Sequence, residues 1–312
     1  MQNAIDKIVT DNTSGAAEIL RRAADAFSLL NPEQITSSPL SVEQARKAVL
    51  DTSVAVVRAQ PDMSPLVRLA SAAVAAARQS TDAASVLKSA EEAARGFIAK
   101  AELATGAAAC QAANSIPNGA TVLTHSRSST VLEAFIEACR HGKDFTVIAT
   151  ESRPMMEGRV LAEALAAEGM RVSLIADAAA AQLLDEVNLV LVGADKVTPE
   201  YLVNKIGTRM ITLAARERGV PAYAVCDTSK FTNADYFSGS DLYHRSSDEL
   251  WPDAPPGVVV VNRYFEPVPL ALFAAIITED GELSTDETAR RAERASIDRE
   301  LIDALARYRS RC

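Results

Sequence analysis

Residues 193–208 read GADKVTPEYLVNKIGT and follow directly on the apolar run LVLV at 189–192. An unbroken run of branched aliphatic residues, rather than an alternating one, marks a strand buried on both faces, as in a parallel sheet covered by helices. Its end carries Asp195, and Asn204 and Lys205 open the helical segment read to follow. In open α/β sheets ligands bind in the crevice beyond the carboxyl ends of the strands. The stretch therefore bears on fold class and on function together.

Similar runs lie on either side of it. ATVLTH (120–125), FTVIATE (145–151), RVSLIAD (171–177), VNLVLVGAD (187–195), PAYAVCD (221–227) and VVVV (258–261) alternate with segments of helical length. That alternation predicts a Rossmann-like parallel sheet. Several runs end in polar residues: His125 and Ser126, Thr150 and Glu151, Asp177, Asp195, Asp227. Some of these read equally well as helix caps, Asp177 before AAAAQLL most of all.

The amino-terminal part has another texture. From Ser14 to about Cys110 it is rich in Ala, Leu, Glu, Lys and Arg, with apolar positions such as Val56, Val57, Val86, Leu87 and Ala90 at helical spacing. Breaks are predicted at NPEQ (31–34) and QPDMSP (60–65), where proline disfavours helix before it. The junction falls within Gly106–Gly119, which gives an all-helical domain over 1–115 and a Rossmann-like α/β ligand-binding domain over 116–312. The tail from Ser284 to Tyr308 reads as one helix, acids first and arginines later, the sense the helix dipole favours. It would close the domain or serve self-association.

Composition narrows the function. The 312 residues are 48% hydrophobic, and 32 basic against 41 acidic residues leave a net charge of −9, which argues against nucleic acid as a partner. The 4 cysteines include no CxxC pair and there are only 3 histidines, so no metal site or disulfide framework is legible and a reducing cytoplasm is expected. The opening MQNAIDKIVTDNTSGAAEIL lacks the pattern of a signal peptide, and the stretch Leu66 to Ala77 is short and interrupted by Arg68, so no membrane segment is expected. Neither GxGxxG, GxxxxGK[ST] nor GxSxG occurs, which disfavours dinucleotide binding, P-loop chemistry and serine hydrolysis.

Two places hold candidate chemistry. THSRSST (124–130) offers hydroxyls, Arg127 and a helix start, suited either to a phosphate or to a plain serine cap. Asp195 at the mouth of a buried strand invites desolvation and proton transfer, or a salt bridge to Lys196 or Lys205. Lys205 offers a point charge and Asn204 both a donor and an acceptor for sugar hydroxyls.

GADKV (193–197), NKIGTRMITLAARERGVPAYAV (204–225) and DTSKF (227–231) together resemble the family that unites the alpha, beta and delta subunits of initiation factor 2B with methylthioribose-1-phosphate isomerase and ribose-1,5-bisphosphate isomerase. TSGAAEI (13–19), QPDMSPL (60–66), ESRPMMEGRVLAEAL (151–165) and FEPVPLALFAAIITEDGEL (265–283) resemble further blocks. The resemblance implies a helical amino-terminal domain, a Rossmann-like domain and a homodimer, with no cofactor, since the isomerisation is internal to the sugar. It implies catalysis by Asp195 and by the position of Ser126, where the isomerases have cysteine. It implies substrate contacts at Asn204 and Lys205, and at positions where this chain departs from the family: Ser14 with Gly15 and Ala16 for an Arg-Gly-Ala loop, Gln60 for an arginine, Glu157 for a glutamine. Gln60 and Glu157 suit hydroxyls better than phosphate. Arg127, Arg153 and Arg159 are candidates to replace the missing cations. A serine hydroxyl stays protonated where a thiol ionises, so Ser126 orients rather than titrates.

The expectation is thus a sugar-phosphate isomerase-like protein acting on a phosphorylated pentose or a relative. The alternative is a non-catalytic sensor of sugar phosphate or nucleotide resembling the initiation factor 2B alpha subunit.

Overall fold

The computed structural model describes residues 2–9, 16–30, 39–61, 63–233 and 245–309. The predicted break at NPEQ, and Ser14 with Gly15, lie outside them. The chain forms two compact units.

The first unit draws on Met1–Leu103, Ser229–Tyr236 and Arg294–Cys312. It contains α1 (Gln2–Val9), α2 (Ala16–Ser28), α3 (Val42–Ala59), α4 (Ser64–Gln79) and the first part of α5 (Ala83–Ser115). Ser41 opens α3 with a capping box: its hydroxyl accepts from Gln44 N–H and the Gln44 side chain accepts from Ser41 N–H. The break at QPDMSP is where expected, with α3 ending at Ala59 and α4 starting at Ser64, Pro65 in its first turn. Ile8, Phe27, Val49, Val56, Leu66, Leu69, Val86, Leu87 and Ala90 fill the core between these helices.

The tail is not the single helix its pattern suggests. It divides into α10 (Thr285–Arg294) and α11 (Arg299–Arg309). Asp298 sits in the break, donating its N–H to Ser71 Oγ and accepting from Arg78, and so ties α11 to α4.

The second unit, Ala104–Thr228 and Phe237–Glu293, is built on a seven-stranded sheet. Its strands are β1 (Thr121–Thr124), β2 (Thr146–Thr150), β3 (Arg171–Ile175), β4 (Leu189–Gly193), β7 (Ala222–Val225), β9 (Ala275–Thr278) and β10 (Gly281–Leu283), in the order β10-β9-β7-β4-β1-β2-β3. All neighbours run parallel except β9 and β10. The chain leaves β1 towards β2 and β3, then returns to lay β4 on the other side of β1, so the order reverses between β1 and β4. The helices α6 (Ser129–Arg140), α7 (Glu157–Ala167) and α9 (Thr208–Glu217) connect the strands, with a short α8 (Ala180–Leu183) after β3.

Three readings of the sequence need correction here. VVVV at 258–261 forms no strand, and Val259 is 87% exposed, because no described strand pairs with it. Asn204 and Lys205 do not open a helix: they end β6 (Tyr201–Lys205), the middle strand of a small antiparallel sheet with β5 (Lys196–Val197) and β8 (Phe265–Pro269). Asp177 does not cap the helix after it. Its carboxylate instead accepts from Ser152 N–H at 2.6 Å and Arg153 N–H at 2.8 Å, holding the loop after β2. A short polar side chain at a strand end can serve either loop, and local sequence does not say which.

Candidate functional site

The turns after β1 and β4 meet where the strand order reverses. A side chain at Gly193 would come within 2.6 Å of Ser128 Cβ, so only glycine lets the end of β4 lie against the turn after β1. Ser128 caps α6, its hydroxyl accepting from Val131 N–H, which settles the serine-cap reading for that residue. Ser126, two residues earlier, takes a left-handed backbone (φ 66), a conformation non-glycine residues adopt at a cost.

A buried relay fixes that turn. Ser126 N–H donates to Ser152 Oγ at 2.7 Å, Ser152 Oγ lies 3.1 Å from Thr150 Oγ1, Thr150 Oγ1 lies 2.6 Å from His125 Nδ1, and His125 Nε2 lies 2.7 Å from the Ile206 carbonyl. A carbonyl only accepts, so Nε2 carries the proton and, in the neutral ring, Nδ1 accepts from Thr150. Ser126 N–H, Thr150 Oγ1–H and His125 Nε2–H then all donate towards the NKIGT turn, while the Ser152 hydroxyl has both Thr150 Oγ1 at 3.1 Å and the Thr150 carbonyl at 3.3 Å within reach. Burial holds the His125 pKa below its ordinary value and Lys205 adds to this; the Ile206 carbonyl, Asp177 and Glu157 oppose it. Gly207 (φ 106) lies over the ring, where a Cβ would approach Nε2 to 3.0 Å. The amides of Gly207 and Arg209 both donate to Glu266, so the start of α9 is already occupied by a carboxylate.

Asp195 N–H donates to the Val203 carbonyl while Lys196 pairs with Val203 in the ladder. Two successive residues thus address one, the arrangement of a β-bulge, which re-aims the strand where β4 hands over to β5. The Asp195 backbone is thereby anchored next to Asn204. Asn204 is buried and donates to Thr208 Oγ1, which in turn donates to the Lys205 carbonyl.

Lys205 is enclosed. Its ammonium lies 2.5 Å from Glu157 Oε1, 4.6 Å from the centre of the Tyr264 ring and 5.2 Å from that of Phe265. Such cation–π contacts contribute on the order of 0.5–2 kcal/mol, more as the cation is desolvated, and only 3% of the Lys205 side chain is exposed. Glu157 begins α7, directly before Gly158, which packs onto the Thr150 carbonyl. Its second oxygen, Oε2, is buried and makes no hydrogen bond with a described residue, and the same holds for the Tyr264 hydroxyl. Burial, then the neighbouring Glu249, pushes the Tyr264 phenol well up.

The profile of the initiation factor 2 subunit family matches residues 12–285. The chain belongs to this family. Among its members, ribose 1,5-bisphosphate isomerase of Archaeoglobus fulgidus is 32% identical over 315 residues, spanning 98% of this chain and 97% of that one. A Pyrococcus furiosus protein described as translation initiation factor eIF-2B subunit 2-like is 32% identical over 278 residues, 89% of this chain and 94% of that one. The crystal structure of translation initiation factor eIF-2B from Pyrococcus horikoshii superposes with a TM-score of 0.75 at 29% identity, covering 91% of this chain and 96% of that one.

The residues carried over from the family fall as follows. The turns bearing Ser126 and Asp195 meet, and Glu157 binds Lys205 beside Asn204; all five belong to the α/β unit. Arg127 and Arg153 are exposed and make no ion pair with a described residue, whereas Arg159 is paired with Glu151. Gln60 belongs to the helical unit, where its amide donates to the Ile8 carbonyl. Ala16 is the first residue of α2, its side chain outside what is described. Lys205, read as a point charge for phosphate, is instead matched by Glu157. Sequence reading missed His125, Thr150, Ser152, Tyr264 and Glu266 as organisers of the site. The histidine and hydroxyls at the ends of two strands were a usable signal; Tyr264 and Glu266 had none, because β8, which Tyr264 precedes and Glu266 lies in, was not foreseen.

Proposed function

We propose that the chain is a sugar-phosphate isomerase, interconverting the aldose and ketose forms of a phosphorylated pentose or a related sugar. The observation that carries this is the meeting of the Ser126 and Asp195 turns at the reversal of strand order, beside Asn204 and Lys205. The isomerase from Archaeoglobus fulgidus, similar over nearly its whole length, supports it.

Asp195 moves the proton during ring opening, or stabilises the sugar oxygens, as hydrogen passes from C2 to C1. Ser126 orients the substrate, and Asn204 binds a hydroxyl. Arg127 stands available for a phosphate. The substrate supplies and receives its own electrons, so the reaction needs no redox cofactor. The chain acts as a homodimer, which the exposed run of Val258, Val259 and Val261 with Leu250 and Trp251 supports. Free thiols at Cys110, Cys139 and Cys226 suit a reducing cytoplasm, and among the described residues no helix is long and apolar enough to cross a membrane.

The test pairs a thermal-shift screen of sugar phosphates, free sugars and nucleotides with a turnover assay on each ligand that stabilises the fold. Asp195→Asn lowers turnover by about 100-fold or more while leaving binding in place. Unchanged turnover rejects the catalytic role. A ligand that binds without being converted favours a sensor, the reading that serine at the family's cysteine position supports.

A further inference from the structure

We infer that Glu157 sets the ligand chemistry of the Lys205 corner: it withdraws the ammonium from phosphate recognition and leaves its own Oε2 to accept a hydroxyl of the sugar. The inference rests on the sugar-binding reading above and adds which end of the ligand this corner takes.

Three observations carry it. The Lys205 ammonium is enclosed by one carboxylate oxygen at 2.5 Å and two aromatic faces at 4.6 and 5.2 Å, so its charge is already compensated by the protein. Glu157 Oε2 is buried without a hydrogen bond to any described residue. A buried acceptor of this kind is destabilising until a donor reaches it. A sugar hydroxyl is such a donor; the phosphate group of a sugar monoester, as its dianion, carries only acceptors, and any phosphate adds roughly −1.5 to −2 charges beside a carboxylate. The position of Glu157 at the start of α7 accounts for an acid there through the helix dipole. It does not account for an oxygen that is buried without a hydrogen bond to a described residue.

Inorganic phosphate is the probe, titrated calorimetrically against the full-length wild-type protein, Glu157→Gln, and Glu157→Gln combined with Lys205→Met. The amide keeps the shape of the carboxylate and releases the ammonium, so Glu157→Gln binds phosphate at least about 10-fold tighter than wild type, in the range of a recovered charge-assisted hydrogen bond. The double variant loses that gain. Should the Gln variant not fold, Glu157→Ser, smaller and equally neutral, makes the same comparison. Equal phosphate affinity in wild type and the neutral variant overturns the inference, as does a gain that persists without Lys205. Neither readout depends on turnover, so a protein that converts no sugar phosphate still decides the point.

Discussion

Two polar clusters stand at the same end of the parallel sheet and differ in one respect. Around His125, the atoms of Thr150, Ser152, Asp177 and the Ser126 amide are all engaged by protein groups. Around Lys205, Glu157 Oε2 and the Tyr264 hydroxyl are buried without a well-aligned hydrogen bond to a described residue. Burying polar atoms without partners costs free energy, and a fold that satisfies one cluster fully could have satisfied the other. On the function proposed above, the first cluster is scaffold and the second is completed by a ligand.

If that division is right, damage to the first cluster appears as lost stability and damage to the second as altered binding. The largest effect is expected at Gly158. A Cβ there would lie 1.7 Å from the Thr150 carbonyl oxygen, and backbone cannot swing aside as a side chain does. Gly158→Ala should cost about 3 kcal/mol or more, lowering the melting temperature by roughly 6–12 °C. A melting curve like wild type would show that α7 moves freely over the end of β2, and the scaffold would lose its foundation.

Next comes Thr150→Val, which keeps the shape and removes the donor to His125 Nδ1. It leaves a buried acceptor unsatisfied and should cost about 1–3 kcal/mol by denaturant unfolding. Stability like wild type would show that the relay does not hold the Ser126 turn.

Acid probes the same relay more gently. Burial holds the folded-state pKa of His125 below its ordinary 6.5, so between the two values the unfolded chain binds the extra proton. Stability from this group is complete above the unfolded pKa and falls as pH drops below about 6.5, with a slope of at most about 1.4 kcal/mol per pH unit. Melting temperatures measured from pH 8 down to pH 5 should fall more steeply in wild type than in His125→Gln, which has no proton to gain.

The clusters also differ in how far the sequence revealed them. Asp195, Asn204 and Lys205 stood out because charged and amide groups beside an apolar strand are chemically conspicuous. The β1 and β4 ends could be placed for the same reason, since LVLV has a buried partner on each side. VVVV at 258–261 is also wholly aliphatic but pairs with no described strand and stays outside the sheet, because strand formation depends on neighbours the local pattern does not contain. Sequence reading gives Asn204 and Lys205 to a helix because TRMITLAARE follows them and because β6 ends in two polar residues rather than in an apolar run like that of β4. The pairing of Lys205 with Glu157, and of Asp177 with the loop after β2, joins residues far apart in the chain. Only the fold brings them together.

The smallest effect is the one that most sharpens the division. Tyr264→Phe removes a buried hydroxyl that has no well-aligned hydrogen bond to a described residue, Glu249 being its acidic neighbour, and keeps the ring on which Lys205 rests. An unsatisfied buried group contributes nothing by its loss, so stability should stay within about 0.5 kcal/mol of wild type or rise slightly. The hydroxyl removed from a satisfied position, as in Thr150→Val, is destabilising for the opposite reason. If Tyr264→Phe unfolds as readily as Thr150→Val, its hydroxyl has a partner in solution, Glu249 being the nearest candidate by its influence on the phenol, and the second cluster is closed like the first. If stability holds while the thermal shift given by a sugar-phosphate ligand shrinks, the hydroxyl is unpartnered because the ligand is its partner.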